Sequence, residues 1–243
     1  MDILRDTFTW LNDPLNWTGR DGVIGLTLEH LAIAAIAVLI AAALALPVGI
    51  LLGHRRRGGT VSVVLANTSR ALPTLALLTL FAAAGMFGNR AIVIAAAIFA
   101  VPPILSNAYT GVLGVDPDVR DAARGMGMSG PRLLRLVELP LALPLVAAGL
   151  RTAAVQVVAT VPLAALVGGG GLGVIIVKGF GTRDFGQVVA GGLLVAALCL
   201  AVEGVLAVAQ WAATPPPMRR RAVSRQRPAL AADPLPQGVA DAA

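Results

Sequence analysis

A polar stretch from Asp116 to Glu138 interrupts an otherwise strongly apolar sequence. Asp116 can cap a helix, Pro117 suits its first turn, and Asp118 adds a carboxylate that favours the positive end of the helix dipole. We predict that this helix ends near Gly125 to Gly127. Pro131 then opens a second short helix that leads into the next apolar segment. A helix, a glycine break and a second helix form a stiff projection.

Three ionisable residues stand inside or close to apolar segments: Arg70, Arg151 and Glu203. Counted from one end of their segments they lie roughly 12 to 17 Å deep, at 1.5 Å per helical residue. Charges at membrane depth are costly and tend to face a cavity or each other. We therefore predict that Glu203 pairs with Arg70 or Arg151; the alternative is that the arginines extend to the inner interface.

Polar and helix-breaking residues in the apolar segments are candidates for a transport path or for a seam between two subunits, because freed backbone groups need water or a ligand. A simple packing kink is the alternative for any single proline. The candidates are Pro73, Thr74, Asn107, Tyr109 and Gln156.

The elements that must position these residues are membrane helices. Of the 243 residues, 57% are hydrophobic and 13% charged, where a soluble domain carries about 25% charged residues. This excludes an ordinary soluble enzyme and predicts an all-α polytopic membrane protein. Uncharged stretches of about 20 residues can cross a bilayer, and the sequence predicts five spans, at about 27–53, 60–86, 90–114, 140–167 and 185–211.

The segments outside the spans complete the predicted organisation. Residues 1–23 form an extracytoplasmic segment, and 24–211 form the transmembrane domain, with the polar connector at 116–139. Residues 212–243 have too little apolar content to fold and are predicted to be a disordered cytoplasmic tail.

Basic residues predict the orientation of the spans. With the N-terminus outside and the C-terminus inside, twelve arginines lie in cytoplasmic segments, against five basic residues for the opposite orientation. Cytoplasmic loops carry the excess of positive charge, so the first arrangement is favoured. The net charge of +6 is then a record of topology, and no nucleic-acid partner is expected.

Several chemistries are not expected on this chain. One cysteine and two histidines are too few for a cysteine-cluster or zinc site. The only lysine, Lys178, lies between Val177 and Gly179, which does not fit the Gly-Lys-Ser/Thr of a P-loop. The chain is therefore not expected to be an enzyme, and no cofactor or metal is expected on it.

The polar connector resembles the cytoplasmic signature of permease subunits from binding-protein-dependent ABC importers. That signature is Glu-Ala-Ala, three residues, Gly, nine residues, then an aliphatic residue, any residue and Leu-Pro. Here Asp121-Ala122-Ala123 is followed by Gly127 and then by 137–140, Val-Glu-Leu-Pro, at the same spacing. The departure is Asp121 in place of Glu, and Arg70 stands where an uncharged polar residue is more usual.

Within that family the chain is most similar to osmoprotectant permeases, over about residues 24 to 211. The similar segments are 107–111, 115–117, 122–128, 137–144, 149–153 and 168–173.

The resemblance implies a five-span type I ABC importer permease core in the inner membrane. It implies that the helix from Asp121 to Gly127 docks in a groove of a separate ATPase subunit, with small residues (Ala122, Ala123, Gly125, Gly127) at the contact and Arg120, Asp121 and Arg124 at its rim. It implies three protein partners: the ATPase, a second permease that is a copy or a paralogue, and an extracytoplasmic substrate-binding protein.

The function implied is ATP-driven import of an osmoprotectant such as glycine betaine, choline, carnitine or proline. One alternative is an amino-acid permease of the methionine type. The other is a membrane channel or scaffold that works without ATP.

Overall fold

The computed structural model describes residues 3–19, 21–57, 59 and 74–213. Within these ranges every regular element is helical. The α-helices are α1 (Ile3–Asn12), α2 (Val23–His54), α3 (Thr74–Ala83), α4 (Asn89–Leu113), α5 (Pro117–Gly125), α6 (Gly130–Leu133), α7 (Leu139–Thr160), α8 (Gly173–Thr182) and α9 (Phe185–Ala213). The predicted all-α class is confirmed.

Four of the helical segments in the described part are long and apolar enough to cross a membrane: Val23–His54, Asn89–Leu113, Gly130–Val167 and Phe185–Ala212. They coincide with four of the five predicted spans. The third of these segments is a composite, because α6 continues through a π-helical turn (Leu134–Glu138) into α7, which ends in a 3-10 helix (Val161–Val167). The remaining predicted span, 60–86, is described only from residue 74 onward, where α3 lies.

Helix α4 is the centre of the bundle and packs between α2 and α7. Along α2, small residues recur every four positions and are buried, at Ala37, Ala41, Ala45, Gly49 and Gly53. A four-residue repeat places them on one helix face, and small side chains let two helix backbones approach closely in a membrane. The opposing face of α4 is also rich in buried alanine, from Ala91 to Ala108.

The second contact of α4, with α7, is equally close. A Cβ added to Gly149 of α7 would lie 2.5 Å from Cβ of Asn107, and one added to Gly111 of α4 would lie 3.2 Å from the carbonyl oxygen of Ala142. Small residues thus bring the three helices into close contact, and larger apolar side chains such as Ile33, Ile104 and Val157 fill the rest of the core.

Helices α1, α8 and α9 form a second group beside this core. Trp10 and Trp17 pack against a small buried cluster that contains Val23, Leu26 and Leu172. Helix α1 was not predicted within the 1–23 segment, and α8 was not predicted either; both are shorter than a span. The 212–243 tail lies outside the described residues except for its first two positions.

The packing of α2 on α4 gives a prediction about Gly49. A Cβ at this position would lie 2.7 Å from the carbonyl oxygen of Leu105, so Gly49→Ala forces the two backbones apart. We expect it to lower the free energy of unfolding by about 1–3 kcal/mol, measured by thermal unfolding of the purified protein in detergent.

Gly192→Ala is the matched control, because Gly192 lies in α9 with no atom within 4 Å of an added Cβ. It should leave stability unchanged or raise it by up to about 1 kcal/mol, since alanine is the better helix former. Equal melting temperatures for the two variants would contradict the close contact.

Candidate functional site

The polar connector, residues 116–138, begins with the helix start that its sequence predicts. The Asp116 side chain accepts a hydrogen bond from the backbone N–H of Asp118 at 2.9 Å, and Pro117 occupies the first turn of α5. The helix ends at Gly125, and Gly127 follows with φ of +80°. Only glycine adopts this conformation at little cost, so Gly127 sets the direction in which the chain leaves α5.

The exposed side of α5, with the turn that follows it, includes small residues. Ala122, Gly125 and Gly127 lie on the surface, and Asp121 and Arg124 beside them have side chains 72% and 57% exposed, with only a 3.4 Å ion pair between them. Met126 adds an exposed apolar side chain. This face can approach the backbone of another protein closely, as predicted, but the role itself stays a prediction.

The opposite face of α5 is buried, and it contains two residues that were expected at the docking contact. Ala123 is buried. Arg120 was predicted at the rim, but its side chain is only 2% exposed and points into the protein. Its Nη2 donates to the carbonyl oxygen of His54 at 3.1 Å and lies 2.8 Å from Oε1 of Glu138. Arg120 therefore belongs to the interior of this chain.

Glu138 joins a third residue to this pair. Its Oε2 lies 2.5 Å from Nδ1 of His54, and its side chain is fully buried. We call Arg120, Glu138 and His54 the connector cluster. It links α5 to the last residue of α2 and to the π-helical turn before α7. A displacement of α5 therefore acts directly on two membrane helices.

The charges of Arg120 and Glu138 in the connector cluster have to be buried together. Burial lowers the pKa of Arg120, and the carboxylate of Glu138 opposes that shift, yet an arginine remains charged at physiological pH. A buried guanidinium without a counter-ion is strongly unfavourable. Sequence reasoning missed Glu138 and His54 because they are 84 positions apart and no local pattern connects them.

The structure describes two of the three predicted intramembrane charges. Arg151 of α7 and Glu203 of α9 form an ion pair, so the predicted pairing is confirmed for this arginine. Arg70 lies outside the described residues. Gln210 completes the group, since it accepts from Nη1 of Arg151 at 3.1 Å and donates to the carbonyl oxygen of Pro144 at 3.1 Å.

The residues predicted for a path or seam are distributed over the bundle. Thr74 at the start of α3 is half-buried, and Tyr109 is buried in α4. Asn107 donates to the carbonyl oxygen of Pro103 at 2.8 Å, within its own helix. Gln156 is exposed and lines a cavity with Arg151 and Glu203. Pro73 lies outside the described residues.

A further polar network, not predicted from sequence, holds the glycine loop 168–172. Glu29 Oε1 accepts from Nδ2 of Asn89 at 2.7 Å and its Oε2 accepts from the N–H of Gly171 at 3.2 Å, while Asn89 Oδ1 accepts from the N–H of Gly170 at 2.7 Å. His30, fully buried, lies 2.9 Å from the carbonyl oxygen of Val158 through Nε2. The sequence signal for this network was the adjacent polar pair Glu29 and His30 near the start of the apolar helix α2.

The chain matches the family described as the binding-protein-dependent transport system inner membrane component over residues 45–210. It is 36% identical to the choline transport system permease protein OpuBB of Bacillus subtilis (strain 168), covering 80% of this chain and 89% of that one. It is 35% identical to the glycine betaine/carnitine/choline transport system permease protein OpuCB of the same organism, covering 77% and 86%.

Two further comparisons extend this result. The osmoprotectant import permease protein OsmW of Salmonella typhimurium is 32% identical, over 80% of this chain and 93% of that one. Among solved structures, the inward-facing MetNI methionine ABC transporter superposes with a TM-score of 0.67 at 24% identity, over 79% of this chain and 96% of that one. At this identity the likeness shows the fold.

The connector cluster predicts the effect of removing one of its charges. Glu138→Gln leaves the Arg120 guanidinium buried without a counter-ion, which should cost about 3–5 kcal/mol. We expect a lower melting temperature in detergent and faster proteolysis within residues 116–138.

The control removes both charges. Arg120→Met combined with Glu138→Met should recover most of the stability that Glu138→Gln loses, because apolar pairs of similar volume replace buried ion pairs at little cost. If the single and double variants were equally unstable, the two residues would not act as a pair.

Proposed function

This chain belongs to the inner membrane components of binding-protein-dependent transport systems, and we propose that it serves the import of a quaternary-amine osmoprotectant such as glycine betaine, choline or carnitine, or of proline. The substrate class is supported by the curated relatives, which are named as choline, glycine betaine, carnitine or osmoprotectant permeases and are matched over most of their lengths. The methionine transporter supports only the shared fold.

The proposed mechanism is that α5 is the coupling helix, which receives the movement of an ATPase on a separate subunit. The observation that carries it is the two-sided construction of α5: an exposed side that includes small residues, and a buried side fixed by Arg120 to Glu138 and His54. A helix held in this way moves together with the ends of α2 and α7, so docking on its free face is converted into tilting of the spans.

The remaining partners follow from the family. We propose that two permeases, copies or paralogues, work with two ATPase subunits and an extracytoplasmic substrate-binding protein. Asp121 and Arg124 lie at the rim of the proposed ATPase contact, with Ala122, Gly125 and Gly127 at its centre; Ala123 and Arg120 support the helix from below.

The ATPase contact is tested by a bulky residue on the exposed face. Ala122→Trp places a large side chain where close approach is needed, while the buried face of α5 keeps its contacts. We expect at least a tenfold loss of ATPase subunit co-purified with the permease, together with loss of ATP-driven uptake.

Ala84→Trp is the matched control, because Ala84 is also exposed but lies beyond α3, on the side predicted to be extracytoplasmic. It should leave co-purification of the ATPase unchanged. Normal ATPase recovery with Ala122→Trp would exclude α5 as the docking element.

The orientation, with the N-terminus outside, is tested by accessibility of single cysteines. Cys199→Ser removes the native thiol, and Ala84→Cys and Arg124→Cys then introduce one exposed thiol on each predicted side. A membrane-impermeant maleimide added to spheroplasts should label position 84 and should label position 124 only after lysis. The reverse pattern would invert the topology.

A further inference from the structure

The ion pair of Arg151 and Glu203 lies near the middle of two membrane helices. Arg151 is roughly 18 Å along α7 from Leu139, and Glu203 is roughly 15 Å from the end of α9, at 1.5 Å per residue. At this depth a charge faces hydrocarbon unless protein, water or a ligand covers it, and ionisable groups held there typically mark a transport path.

The Arg151–Glu203 ion pair is held in a defined geometry, but it is not buried. Gln210 fixes Arg151 from the side by bonding its Nη1, and Glu203 contacts the other guanidinium nitrogen, Nη2. The two charged side chains are nevertheless 35% and 37% exposed within this chain. Both charges therefore remain accessible to something that approaches from the open side, which differs from the enclosed connector cluster.

The open side is a cavity of about 370 Å³ between α7 and α9. Besides the ion pair and Gln210, its lining is Ala148, Thr152, Val155 and Gln156. This volume lies within the range of about 300–1,000 Å³ that small-molecule sites occupy. A guanidinium and a carboxylate side by side, with polar side chains around them, present one positive and one negative group to a small ligand.

We propose that this cavity is a transient binding site for zwitterions that carry a carboxylate and a quaternary ammonium group, an inference that rests on the proposed function. The ligand carboxylate contacts Arg151 and its ammonium group contacts Glu203, with Thr152 and Gln156 as polar neighbours. The zwitterion replaces each partner of the ion pair by an equivalent charge, so no charge is left uncompensated during the exchange.

Without a ligand the site carries no net charge, because Arg151 and Glu203 neutralise each other. The path can then close over them. The described residues that line the cavity include no aromatic ring, so the strong cation–π capture used by quaternary-ammonium receptors is not available. A site on a transport path has to bind weakly enough to release its ligand, and an exchangeable ion pair meets that requirement.

Glycine betaine and choline differ in the charge that Arg151 would contact. Glycine betaine carries both charges, whereas choline carries only the ammonium group. Choline binding at Glu203 would leave Arg151 without a counter-ion, so we expect the site to favour glycine betaine and removal of either charge to affect glycine betaine more than choline.

The test uses the complete importer, with permease, ATPase and binding protein, reconstituted in proteoliposomes with ATP inside or outside as its orientation requires. Initial uptake of labelled glycine betaine and labelled choline is measured for wild type, Arg151→Gln, Glu203→Gln and the double variant. We expect Arg151→Gln to lower glycine betaine uptake about tenfold and choline uptake less than threefold. Glu203→Gln should show the same preference, with about a tenfold loss for glycine betaine, as for the loss of one charged contact, and less than threefold for choline.

The double variant separates ligand binding from structural pairing. It leaves no unpaired charge, so it folds even where a single variant does not, and the site predicts that its glycine betaine uptake stays low. Recovery of both uptakes to wild-type rates would overturn the binding site and leave only a structural ion pair. Equal losses of both probes in Arg151→Gln would overturn it as well. Lys178→Gln, an exposed charge outside this cavity, should change neither uptake.

Failure of the underlying function gives a different result. If the wild-type importer took up neither probe in an ATP-dependent manner, the proposed substrate class would be wrong, and the site with it. ATP-dependent uptake by wild type, combined with rescue by the double variant, would overturn the site alone.

Discussion

A charge removed from water must be accompanied by its partner, and this constraint organises the functional parts of the molecule. Arg120 and Glu138 are buried together, with His54 against the same carboxylate. Arg151 and Glu203 meet between α7 and α9. Because the two members of each pair stand on different helices, each pair fixes the position of one helix relative to another. The charges are few, and their placement decides which helices are tied to one another.

The constraint operates on a scaffold that leaves little room for adjustment. Alanine and glycine bring α2, α4 and α7 into close contact, so added volume at these contacts is poorly tolerated. Close-packed interiors have low compressibility and transmit strain. The connector cluster lies at the ends of α2 and α7, and α4 lies between them. In the proposed mechanism, movement applied at α5 is therefore transmitted to this three-helix core.

The sequence allowed much of this to be predicted, and its failures have a common cause. The four described spans were predictable from apolar length, and the start and end of α5 from Asp116, Pro117 and Gly125. The Arg151–Glu203 pair was predictable because depth can be counted along a helix. The inward direction of Arg120 was not, since Glu138 lies at the other end of the same connector and His54 at the end of α2, and the three meet only through tertiary packing. Short helices such as α8 were missed because their apolar residues continue directly from a span.

The conformation of the glycine loop between α7 and α8 is fixed by residues of other helices. Its residues at 168–171 carry no side chains, and its backbone N–H groups are held by Glu29 and by Asn89, from α2 and α4. The position of this loop is set by Asn89 and Glu29, which lie 81 and 142 positions earlier in the chain than the glycines they bond. This loop is therefore one of several joints between the group of α8 and α9 and the core, because α9 also packs along α7, where Leu198 and Val202 contact the main apolar cluster and Arg151 pairs with Glu203.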